Sequence, residues 1–279
     1  MKNYILFLLI FPLCLQGQTN EMIITYKVIA KQSKVKEADK DIFYLIRHQN
    51  KSLFISKNKV INDSIFSIYF NSKARRSNGH IYIDNEDPLM KKADKFKNKY
   101  KIIIEKDFKN KQYRYQQHAF MSALQYTADL PKFKWRLLPE TKTYLGYKLK
   151  KANLDYKGRH YTAWYAPSVP VSDGPYKFYG LPGLIFEIKD EKGEYIFKLV
   201  GIEYKKVEFP KKTFSKNSSF FHIYQTTEQN FYRDFWKTFN PANILGSTVV
   251  IGEGSEDYKR ERVEKIKSLY NNPIEIDEK

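Results

Sequence analysis

The feature that most constrains this chain is a recurring period of two. Leu145, Tyr147 and Leu149 are spaced by Gly146, Lys148 and Lys150, and Tyr113 and Tyr115 sit between Gln112, Arg114 and Gln116. Successive side chains of an extended strand point to opposite faces, so this alternation sets one face on a core and the other in water. Short β-branched and aromatic runs bounded by Gly, Pro, Asn and Asp repeat the signal. They are Met22–Ala30, Ser64–Phe70, Tyr100–Glu105, Lys111–Gln116, Tyr144–Lys150, His160–Tyr165, Leu184–Lys189 and Tyr195–Glu203. The expectation is a mainly β fold: a curved, open antiparallel sheet, bowl or half-barrel, rather than a doubly wound parallel one.

One or two short helices accompany the sheet. Thr227–Phe239 carries Phe231, Phe235, Trp236 and Phe239 three to four apart and stops at Pro241. Pro88–Lys97 is a shorter candidate. Ser255–Tyr270 reads as a surface helix with a narrow stripe of Val263, Ile266 and Leu269. No internal repeat or low-complexity linker divides the chain, so a single domain is expected over residues 18–270, with 271–279 as a loose tail.

Residues 1–17 have the anatomy of a cleavable secretory signal: Lys2, an apolar run from Tyr4 to Leu15, then Gln16, Gly17 and Gln18. The run is short of the roughly 20 residues that a helix needs to cross a bilayer, so no transmembrane anchor is expected. Cys14 is the only cysteine, and Leu13 stands where a lipobox wants a small residue. Cleavage would remove the only thiol, excluding disulfides and thiolate chemistry from the exported product. Its destination is the periplasm, the cell surface or the medium.

The formal net charge of +18 favours anionic partners, but only nine of the 49 basic residues are Arg, the side chain that grips phosphate in two places. Nucleic acid is therefore not the expected partner. The five histidines, His48, His80, His118, His160 and His222, form no i, i+4 pair. No nucleophile elbow, phosphate loop or dinucleotide fingerprint appears, and Asp84–Pro88 lacks calcium-loop spacing. No cofactor, metal or catalytic residue is assigned. Two sequons, at Asn62 and Asn217, fit glycan acceptors.

One stretch is denser than the rest. From Gly158 to Lys189 the chain reads Ala163-Trp164-Tyr165, then Gly174-Pro175-Tyr176-Lys177-Phe178-Tyr179, then Gly180-Leu181-Pro182-Gly183-Leu184-Ile185. Pro182 and Gly183 suit a type II turn over Leu181–Leu184, a tight corner feeding a half-buried strand. Trp164, Tyr165, Tyr176, Phe178 and Tyr179 form a candidate aromatic platform beside it, able to stack on a sugar or clamp a peptide.

These motifs, with the Gly146-Tyr147 turn and a closing Asn272-Pro273-Ile274-Glu275, resemble the GLPGLI family of secreted Bacteroidota proteins. Some relatives look similar to the bowl-like N-terminal domain of a bacterial peptide-N-glycosidase. The resemblance implies an open, curved β-sheet and no defined chemistry. Three readings follow: a non-catalytic envelope or secreted module binding a glycan, peptide, lipid or partner protein; a hydrolase assembled from distant strands; a passive subunit of an envelope assembly.

Overall fold

The computed structural model describes residues 21–73, 75–77, 80–82, 84–96, 100–119, 122–207, 222–238 and 272–275. The expected signal 1–17, the expected helix Ser255–Tyr270 and the sequon at Asn217 lie outside them.

Twelve strands form one open sheet. In chain order they are β1 (Met22–Ala30), β2 (Asp39–His48), β3 (Lys51–Ser56), β6 (Ile102–Asp107), β7 (Gln112–Ala119), β8 (Ser122–Asp129), β9 (Arg136–Tyr144), β10 (Tyr147–Tyr156), β11 (Arg159–Ala166), β12 (Leu184–Asp190), β13 (Tyr195–Tyr204) and β14 (His222–Gln225). A separate two-stranded ribbon pairs β4 (Arg75–Ser77) with β5 (His80–Tyr82). Two antiparallel meanders, β1 to β8 and β9 to β13, are joined where β1 pairs with β13. The short β14 adds to β8 in parallel at one end of an otherwise antiparallel sheet.

The sheet curls strongly. β8 and β10 stand nine strand spacings apart in the order, about 43 Å if the sheet were flat at ~4.8 Å per strand. Yet the adjacent residues Lys177 and Phe178 touch both: Lys177 Nζ donates to Tyr126 of β8, and Phe178 packs on Tyr156 of β10. Only a sheet folded toward a half-barrel allows that. Its inner face carries the large core, in which Tyr26, Phe43, Phe54, Tyr115, Tyr161 and Phe197 are buried.

Three helices complete the described fold: α1 (Lys57–Ser72), α2 (Pro88–Lys95) and α3 (Phe231–Thr238). α1 corrects the expected strand Ser64–Phe70. The Ser56 side chain caps it by accepting from Lys59 N, Lys59 pairs with Asp63 one turn on, and Ile65 and Tyr69 fall on one buried face. Caps and i, i+4 spacing outweigh the β propensity of Ile65, Phe66 and Ile68. α1 lies over the outer face, where Val60 packs on a smaller aliphatic cluster of Ile46, Leu53, Ile55, Ile103 and Val207.

The expected strand Tyr144–Lys150 is likewise two strands. Leu145 (φ +50°) and Gly146 (φ +79°) form the two-residue loop of the β9–β10 hairpin, with the double positive φ of a type I′ turn. Leu145 is thus an exposed turn residue, not a core position.

Candidate functional site

The connection 167–183 between β11 and β12 has no helix or strand, yet Val169, Val171 and residues 173–178 are buried. It runs inside the bowl and fills it. A buried segment without a ladder must satisfy its backbone otherwise. Part is done by tight turns: Val171 N donates to Val169 O (2.7 Å), Asp173 N to Val171 O (2.8 Å) and Gly183 N to Leu181 O (2.8 Å). These are three-residue γ-type bonds, and the fixed φ of Pro170 and Pro182 suits them.

The last one corrects the expected type II turn. Leu184 N donates to Val169 O (3.0 Å), not back to Leu181 O, so the corner is one residue tighter. Gly183 is required there twice over. Its φ is +144°, and a Cβ would lie 2.2 Å from Ala166 O. Around the corner Leu181, Leu184 and Ile185 are buried, while Gly180 and Pro182 face solvent.

The candidate aromatic platform is divided by this arrangement. Tyr165, Tyr176 and Phe178 are buried core residues, 2%, 1% and 0% exposed, so they offer no open stacking surface. Trp164 is half-buried on the opposite side of β11, with Lys142 Nζ 4.5 Å from its ring centroid and Glu187 paired to that lysine. Tyr179 sits at the rim, its hydroxyl donating to Pro131 O and its ring against Phe133. Alternation separated Trp164 from Tyr165, and the buried loop drew in Tyr176 and Phe178.

Two buried lysines, which sequence reasoning left unassigned, hold the plug. Lys106 of β6 spends its three donors on Asp173 Oδ1 (2.5 Å), Gly174 O (2.7 Å) and Phe178 O (3.2 Å). Arg47 Nη1 reaches the other carboxylate oxygen of Asp173 at 3.1 Å. Burial lowers the Lys106 pKa and the Asp173 charge opposes that shift. Tyr26 closes this end by donating to Ile185 O at 2.5 Å; burial, then Asp173, pushes its hydroxyl well above the ordinary tyrosine range.

Lys177 is held by rings instead. Its ammonium lies 4.9 to 5.6 Å from the centroids of Tyr113, Tyr115, Tyr126 and Tyr176, and 2.5 Å from Glu275 Oε1. Tyr176 donates to the same oxygen at 2.7 Å; its φ of +54°, sparsely populated for an aromatic residue, is held by that bond and its packing. Glu275 belongs to the docked segment Asn272–Glu275, which corrects the expectation of a loose tail over those residues. Arg159 fixes it, bonding Asn272 Oδ1 (2.9 Å) and Pro273 O (2.8 Å) while pairing with Asp190 (2.7 Å).

A half-open cleft lies between this docked segment and α3. Tyr100, Tyr115, Gln117, Tyr195, Tyr232 and Phe235 line it, together with Asn272–Ile274. Its enclosed part measures about 30 Å³, room for one water molecule. Tyr100 is 3% exposed and its hydroxyl has no hydrogen-bond partner among the described residues; burial pushes that hydroxyl well above its usual range. Among the described residues no three His, Asp or Glu side chains gather as metal ligands, and no helix is long and apolar enough to cross a membrane.

With this geometry in place, the chain can be set beside known proteins. A family model described as a protein of unknown function, Porph_ging, matches residues 150–187, which run from β10 through the plug into β12. No curated protein matches the chain. Solved structures of PNGF-II in two space groups, P21 and C2, superpose with a TM-score of 0.51 at 15% identity. The fold is shared with PNGF-II. The match covers 78% of this chain and 34% of that one, so the chain spans about a third of PNGF-II's length. A LolA superfamily protein, NE2245 from Nitrosomonas europaea, aligns over 71% of this chain and 91% of its own at 9% identity, with a TM-score of 0.28, too low to imply a common fold.

Proposed function

We propose that this chain is an exported, non-catalytic binding or accessory module of the envelope or medium. The carrying observation is how the acids inside the bowl are used. Asp173, Asp190 and Glu275 are each paired with a buried cation that ties backbone in place. Acids committed in this way hold structure together. Resemblance to one part of PNGF-II, rather than all of it, supports a module used beside other domains.

The test is direct. Exported protein, purified with its natural N-terminus, is applied to glycan and peptide arrays and to a broad panel of glycosidase and peptidase substrates. Binding without turnover is expected, and turnover would overturn the reading. N-terminal sequencing should begin near Gln18. The filled bowl also favours a passive subunit, which crosslinking in intact envelopes would reveal as one fixed partner without array binding.

A further inference from the structure

We infer that the rim built from the β9–β10 hairpin and the end of β13 seats the protein on an anionic lipid surface. The inference goes beyond the module reading, which names no surface, and it can fail while that reading stands.

Two irregularities of the sheet set aliphatic side chains in water. Leu145 holds the first place of the type I′ turn at φ +50°, a place that favours Asn, Asp or Gly, and it is 51% exposed. Neither the turn nor the core calls for leucine there. Val200 is 45% exposed because β13 bulges: Leu199 pairs with Tyr26 and Gly201 with Thr25, which leaves Val200 without a partner on β1.

Both positions belong to one rim. The Tyr144 hydroxyl donates to Leu199 O at 2.9 Å, so the hairpin reaches across to β13, and Tyr147 packs on Phe186 of β12 with ring centroids 4.9 Å apart. Tyr204, 50% exposed at the end of β13, completes it. Burial first and the Tyr147 hydroxyl second raise the Tyr204 pKa, which sets those two hydroxyls close together. Exposed apolar side chains are ordinary when they stand singly; a contiguous group on a protruding edge marks a contact surface.

Charge decides what the surface contacts. Lys198 Nζ stands 4.8 Å from the Tyr144 ring centroid, Lys148 follows Tyr147 in the chain, and Lys205 and Lys206 follow Tyr204. The neighbouring carboxylates are already taken, Glu187 by Lys142 at 2.8 Å and Glu203 by Lys205 at 2.9 Å. Among the described residues no carboxylate pairs with Lys148, Lys198 or Lys206. An apolar tip flanked by tyrosine hydroxyls and unneutralised ammonium groups matches the boundary of a bilayer. Leu145 and Val200 enter the acyl edge, the tyrosines stay at headgroup level, and the lysines meet anionic phosphates. A protein partner would need a concave pocket shaped for a two-residue turn, whereas a lipid layer deforms around it.

Sedimentation of the exported protein with vesicles of phosphatidylcholine alone, and of equal parts phosphatidylcholine and phosphatidylglycerol, tests this. Binding to the anionic vesicles is expected, weakened by salt. Leu145→Asn should cut partition roughly 5- to 10-fold with an unchanged or raised melting temperature, because asparagine suits the turn. Lys148→Gln combined with Lys206→Gln should cut it about 20-fold, at about fivefold per lysine. Lys91→Gln combined with Lys95→Gln removes the same charge from α2 and should cost much less. Leu145→Trp should gain fluorescence quenching by brominated acyl chains relative to the unsubstituted protein. Absence of binding by the folded protein, equal partition of Leu145→Asn, or an equal loss in the α2 variant would each overturn the inference. None of these outcomes touches the module reading, which substrate turnover would remove.

Discussion

The two faces of the sheet are covered in opposite ways. The inner face receives the connection 167–183, which has no secondary structure and carries Asp173 and Lys177 into the core. The outer face receives α1, a helix that satisfies its own backbone, sets Val60 on the outer aliphatic cluster and buries Ile65 and Tyr69. β3 shows the divide within a single strand: Phe54 joins the inner aromatic core while Leu53 and Ile55 join the outer aliphatic cluster. A loop used as a core element must import donors and acceptors from the sheet, so its stability depends on a few irreplaceable atoms. A helix used as a cover spreads its stability over many interchangeable contacts.

That contrast is open to attack at its strongest point. Gly183→Ala should be the most damaging change, costing more than about 4 kcal/mol, because the new Cβ meets backbone at 2.2 Å and the φ suits glycine alone. Urea denaturation measures it, and a loss near that of an ordinary surface change would mean the corner can open. Lys106→Met comes next, at about 3–5 kcal/mol, since it leaves Asp173 with Arg47 as its only cation and removes the donor to two carbonyls in the core. Adding Asp173→Asn should recover part of that loss; full additivity would show the pair to be uncoupled.

The outer face should respond through pH instead. Burial, with Lys59 of α1 and Lys101 nearby, lowers the His118 pKa to about 3, below the ~6.5 of an unfolded chain. The unfolded state therefore binds the proton first, so this contribution is complete above about pH 6.5 and declines as pH falls toward 3. The slope is at most about 1.4 kcal/mol per pH unit. His118→Gln should flatten the urea midpoint between about pH 6.5 and pH 4, and an unchanged slope would refute the assignment. The smallest effect is expected for Val60→Ala, about 1 kcal/mol, because neighbouring aliphatic groups close around the gap; a loss as large as that of Lys106→Met would erase the contrast.

Legibility in the sequence followed the range of the interactions. The strands of the C-terminal meander were readable because alternation at Arg159–Ala166 and Leu184–Asp190 is a nearest-neighbour property. α1 is hard to read because Ile65, Phe66, Ile68, Tyr69 and Phe70 look like strand residues until the cap at Ser56 is weighed. The aromatic cluster around the hexapeptide was visible, but its orientation was not. Tyr176 and Phe178 pointed inward, and the Tyr100 hydroxyl beside the cleft lay in a segment with no distinguishing motif. The segment Asn272–Glu275 stands out in the sequence as a motif, yet only its contacts with Arg159 and Lys177 explain it.

By itself, the sequence determined the elements that short-range physics controls: a mainly β chain, the period-two faces and a sharp corner at Pro182-Gly183. Only the tertiary structure decided what fills the bowl. The bonds from Lys106 to Gly174 O and from Tyr176 to Glu275 join residues 68 and 99 positions apart, and no local preference encodes such a meeting. A charge enters a core only where distant partners already wait for it, so the role of Lys106 and Lys177 became defined when the sheet curled around them.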